Sequence, residues 1–137
     1  MPFDVSGEAI AHVRELCLAL PAAEERLSHG SPTFFIGGKK TFVMFLDDHH
    51  DDGRLALWCA AEPGVQATVV DEEPDRFFVP PYVGHRGWIG VRLDRDVDWG
   101  EIAGVVEDAY RAVAPKRMLA ELDARDQAVS PADDGDS

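Results

Sequence analysis

The sequence predicts an α+β domain, a mainly antiparallel sheet in a single layer with helices packed on one face. Three observations carry that prediction. The elements read in the order helix, run of strands, short helix, strand, helix, without the regular alternation that a parallel sheet requires. Gly37-Gly38 stands between two β-rich runs, where a two-residue hairpin turn belongs. The helical stretches each carry one apolar stripe, which gives a helix a single face to bury.

The first helix is predicted over Gly7–Leu20. Ser6 is placed to cap it, Glu8 falls in its first turn, and Ile10, Val13, Leu16, Cys17 and Leu20 recur at helical spacing before Pro21. Glu24–Ser28 is a short edge strand. Thr33–Ile36 and Lys40–Leu46 form the hairpin around the glycine pair, and both are rich in β-branched and aromatic residues. A polar loop from Asp47 to Gly53 leads into a strand over Arg54–Cys59. Pro63 is placed as the first residue of a second helix that runs to Asp71 with Val65, Val69 and Val70 inward. The tract Phe77–Trp88 holds four aromatics, a histidine and an arginine between prolines and glycines that restrict the backbone. Trp88–Leu93 is the last strand. Asp98 caps the third helix, with Glu101 three residues on. Ile102, Val105, Val106, Ala109 and Val113 form its apolar face, Pro115 ends it, and Lys116–Leu122 add a further turn or two. Residues 1–125 make one domain, and 126–137, rich in Asp, Ser, Pro, Ala and Gly, are expected to be a disordered acidic tail.

The chain of 137 residues carries a net charge of −13, of which the tail supplies −4 and the body −9. That balance opposes long-range attraction to nucleic acid, whose affinity comes from Lys and Arg neutralising phosphates. No apolar run is long enough to span a membrane, and Met-Pro-Phe-Asp-Val-Ser lacks the basic and apolar regions of a signal peptide. Cys17 and Cys59 each lie in an apolar segment with no Cys-x-x-Cys spacing, so two reduced, buried thiols in a cytoplasmic protein are expected.

Strand alternation sorts side chains between the two faces. Leu55, Leu57, Cys59, Ile89, Val91 and Leu93 face the helices, and Arg54, Trp58, Trp88 and Arg92 face the other way. Aromatics beside arginines on an open sheet suit the stacking of a flat group. The bland account is that the Tyr82–Arg86 loop or a second copy covers the tryptophans. Lys39 and Lys40 read either as a charged hairpin tip or as a phosphate contact. Among Asp47, Asp48, Asp51 and Asp52, His49 and His50 are chemically suited to a divalent metal, but adjacent histidines on a loop lack a set geometry, and a solvated acidic loop is the simpler account. His85 and Arg86 read as anion or hydrogen-bond contacts, since no catalytic partner for His85 stands at a motif spacing. No nucleophile motif and no phosphate-cradling glycine loop occurs, so no catalytic residue, metal site or cofactor is assigned.

The sequence resembles the MmcQ/YjbR family. The shared features are Leu18-Ala-Leu-Pro21, Ser31-Pro-Thr-Phe34 with Gly38-Lys-Lys-Thr-Phe42, Leu57-Trp-Cys59, Glu73-Pro-Asp-Arg-Phe77, Pro81-Tyr-Val-Gly-His-Arg-Gly-Trp88, and the last helix with Ala109-Tyr110 and Lys116. The resemblance implies a fold similar to bacterial frataxin (CyaY-like) and a DNA-binding role through a double-wing arrangement. The expectation is therefore a non-enzymatic small binding module using Lys39, Lys40, Arg54, Trp58, Tyr82, His85, Arg86, Trp88 and Arg92, with DNA as the implied partner. A protein or small-ligand module on the same face is the alternative, and metal binding by the acidic loop the third reading.

Overall fold

The computed structural model describes residues 5–47, 55–94 and 97–135, with side chains over 7–47, 55–94 and 97–125. Helix α1 spans Val5–Leu18 and is followed by strands β1 (Ala23–Ser28), β2 (Ser31–Ile36), β3 (Lys40–Asp47) and β4 (Leu55–Cys59). Helix α2 (Val65–Glu72), β5 (Phe77–Phe78), a 3-10 turn at Gly84–Arg86, β6 (Ile89–Arg92), α3 (Trp99–Val113) and α4 (Lys116–Gly135) complete the order. The strands form one six-stranded sheet in the order β1-β2-β3-β4-β6-β5, and every pairing is antiparallel. The fold is thus α+β, as predicted.

Both tight hairpins have a local cause. Lys39 N–H donates to Ile36 O across Gly37 and Gly38, whose φ angles of 61° and 72° belong to a type I′ turn. The β1–β2 connection repeats this with His29 at φ 52° and Gly30 at 81°, a turn the sequence reading passes over. Asp98 caps α3 as predicted, accepting from the amides of Gly100 and Glu101 at 3.0 and 3.2 Å. The predicted cap of α1 falls inside that helix, which already includes Val5 and Ser6. Helix α2 starts at Val65 rather than Pro63, because Gly64, at φ 91°, forms its entry. Helix α4 continues to Gly135, past Asp126 where the sequence reading places the start of a tail.

The core is one cluster. Val13 and Cys17 of α1 and Ile102, Val106, Ala109 and Tyr110 of α3 join Phe34, Val43, Leu57, Cys59 and Val91 of the sheet. Tyr110 meets Phe42 edge-on, with centroids 5.4 Å apart, and its hydroxyl donates to Pro21 O. That bond fixes the end of α3 against the α1–β1 turn. Cys17 and Cys59 are free, buried thiols, and burial pushes both well above the usual thiol range.

The central strand β4 is buried at all five positions. This corrects the expectation of an open sheet face there. The register sets Thr33, Met44, Trp58, Gly90 and Phe78 in one cross-strand row. Alternation therefore sorts Trp58 away from Leu57 as predicted, yet Trp58 is only 2% exposed. Phe78 explains part of the cover. Its ring lies over Gly90, so close that a Cβ at Gly90 would stand 2.4 Å from it.

Candidate functional site

The antiparallel order gives the sheet two distinct ends. The β2–β3 turn, the residues leaving β4 after Cys59, and the tract between β5 and β6 all lie at one end. The start of β4 and the end of β6 lie at the other. Lys39, Lys40, Tyr82, His85, Arg86 and Trp88 therefore share one end. Strands β3 and β6 are separated only by β4, so the strands that carry the hairpin tip and the tract run about 10 Å apart. Arg92, paired with Ala56, belongs to the opposite end. Arg54, His49 and His50 lie outside the described residues.

The tract is built from contacts on both sides. Gln66 of α2 donates its side-chain amide to Gly84 O at 2.8 Å and to Trp88 O at 2.7 Å, bridging the 3-10 turn and the start of β6. Pro80 is fully buried and anchors the tract between two outward residues, Val79 at 54% and Tyr82 at 68% exposure. Tyr82 takes φ 68°, a left-handed conformation uncommon for a non-glycine residue, and Gly87 follows at 85°. A Cβ at Gly84 would stand 2.6 Å from Val79 Cγ1, so a larger residue there would have to displace that exposed side chain.

The predicted contact residues divide by environment. Trp58 and Trp88 are 2% and 3% exposed, so neither ring is a free stacking surface. Trp88 is roofed by Arg86, whose guanidinium carbon lies 5.1 Å from the ring centroid. The loop thus covers the tryptophan, the bland account above. Arg92 is held by Asp94 through Nε and Nη2, both at 2.9 Å, and this pairing draws the Asp94 carboxyl below its usual range. Arg76 is spanned by Glu73 and Glu101. These two arginines are neutralised by their own neighbours. Lys39, Lys40, His85 and Arg86 are exposed and, among the described residues, make no ion pair with a carboxylate. What results is an end that carries four basic side chains and an exposed aromatic, with the Glu24 carboxylate beside Gly38 in the hairpin turn. Gln66 is the residue tying down this tract that the sequence reading misses. It lies in an ordinary helical pattern, and only the fold brings it to the tract.

Other groups are less promising. A shallow cleft at the opposite end is lined by Arg76, Asp98, Gly100 and Glu101, charges already committed to one another or to the α3 cap. Among the described residues no group of His, Cys, Asp and Glu is arranged to hold a metal ion, and no helix is long and apolar enough to cross a membrane.

A six-stranded antiparallel sheet with a cationic loop-and-hairpin end defines a small α+β module. The YjbR family model matches residues 18–112, and the chain belongs to that family. Among solved structures it is similar to the Deinococcus radiodurans protein DR2400, of the DUF419 domain family. The TM-score is 0.61 at 17% sequence identity, over 74% of this chain and 75% of that one. No curated protein matches the sequence.

Proposed function

We propose that the chain is a non-enzymatic binding module whose contact surface is the sheet end formed by the Val79–Arg86 tract and the Lys39-Lys40 tip, and that its partner is a protein segment bearing carboxylates. One observation carries this reading: Tyr82 and Val79 project from a backbone tied down by Gln66, beside His85 and Arg86, which have no carboxylate partner among the described residues. Aromatic and arginine side chains are the usual anchors of protein interfaces, and an aromatic ring gains contact area with little entropy to lose. The charge supports the same choice. A body at −9 repels a polyanion at long range, while a short acidic segment meets only the local cations.

DNA, the partner implied by family resemblance, is the second reading, and the adjacent Lys39 and Lys40 at the same end favour it. Nuclear magnetic resonance titrations separate the two. A peptide of about twelve residues, rich in Asp, Glu and Leu, is expected to shift the amides of residues 79–88 and 39–40 in a saturable way. A Tyr82→Ala/Arg86→Ala variant should lose those shifts. A 20-base-pair duplex at about 100 μM and 0.15 M salt is expected to shift none of them, although non-specific DNA binders reach affinities in that range. Saturable shifts with duplex alone would replace the protein reading by the DNA reading, and no response to either probe would defeat both.

A further inference from the structure

Strand β1 is an edge of the sheet and carries three charges and Leu27 in six residues. Gly37 N–H donates to Ala22 O. By antiparallel alternation, Ala22, Glu24, Arg26 and Ser28 then bond to β2, while Ala23, Glu25 and Leu27 turn their amides and carbonyls outward. The outward N–H of Ala23 is already taken by Leu20 O. Glu25 and Leu27 present theirs at the open edge. Leu27 is 73% exposed, more than any other large apolar side chain described. Glu24 and Arg26, two apart on one face, make no ion pair among the described residues, although the Glu24 carboxylate lies beside Gly38 and Arg26 packs 4.1 Å over the Phe35 ring and donates to Gly38 O.

We infer that β1 pairs with β1 of a second copy of this chain, antiparallel, about a two-fold axis through Glu25. The charges choose the register. With the axis at Glu25, Glu24 faces Arg26 of the second copy twice over, and each Leu27 lies against Ala23 of the other. Shifting the axis to Glu24 or Arg26 sets like charges face to face with nothing to neutralise them. The Glu25–Glu25 approach at the centre is neutralised within each copy, because Arg14 holds Glu25 at 2.7 and 2.9 Å. The outward amides of Glu25 and Leu27 then find carbonyl acceptors at Glu25 and Ala23 of the second copy. Two six-stranded sheets become one, by the pairing that an open edge invites.

Sedimentation velocity on the full chain in 0.15 M salt tests this, where screening within about 8 Å suppresses the repulsion between the acidic bodies. A monomer–dimer equilibrium is expected between about 10 μM and about 1 mM, the range of a small edge interface. Arg26→Glu is expected to weaken it at least about tenfold, and Glu24→Arg/Arg26→Glu to restore it. The amides of Glu25 and Leu27 should gain hydrogen-exchange protection as concentration rises, a readout on the unaltered chain. A chain that stays monomeric at about 1 mM, or a dimer that leaves those two amides unprotected, overturns the proposal.

Discussion

Arg92 grips Asp94 with two nitrogens, each 2.9 Å from a carboxylate oxygen, and Leu55 N–H points at the same carboxylate. The arginine's hydrogen bonds, more than any other cause, draw the Asp94 carboxyl below the ordinary carboxylate value. A depressed folded value stabilises the fold above the unfolded value of about 3.9 and ceases to do so as pH falls through the lower folded one. Asp94→Asn should therefore lower the urea midpoint at pH 7, and the gap to the parent chain should narrow towards pH 3. Equal gaps at both values would show that the pairing adds no pH-dependent stability. The same contact takes up the arginine that the sequence assigns to the contact set. Sequence shows an arginine on a strand face, but not the carboxylate two residues on that curls back to meet it.

At the scale of elements, the best-read parts are those whose cause is local. The Gly37-Gly38 turn, the Asp98 cap and the break at Pro115 each depend on one or two residues, and each stands where the sequence places it. Asp98→Ala should cost about 1 kcal/mol, the typical value of a lost helix cap, seen as a lower urea midpoint with an unchanged slope. The elements misread are those set from a distance. Phe77–Phe78 is too short to show a period and is a strand only because β6 lies beside it. His29-Gly30 looks like loop until the Ser28–Ser31 pairing closes it into a turn.

For the whole molecule, alternation correctly told Leu57 from Trp58, but it gave direction and not cover. It reports which way a side chain points, and what lies above that side chain belongs to the tertiary fold. Hence the face of Trp58 was legible and its burial was not. The two thiols belong to this scale as well. Cys17 on α1 and Cys59 on β4 lie in one core, and burial raises both. A thiol reagent such as Ellman's should thus label both cysteines at one shared rate set by global unfolding, and quickly in denaturant. Rapid labelling of one cysteine in the native chain would reveal a locally open region of that core.

The Phe78 ring over Gly90 has a consequence for how this sequence can drift. Glycine at the middle of a strand leaves a gap, and here a neighbouring aromatic fills it. Neither residue is free to change alone: a side chain at position 90 collides with the ring, and a small residue at 78 leaves a hollow beside Trp58. A change at either position is therefore expected to need a matching change at the other.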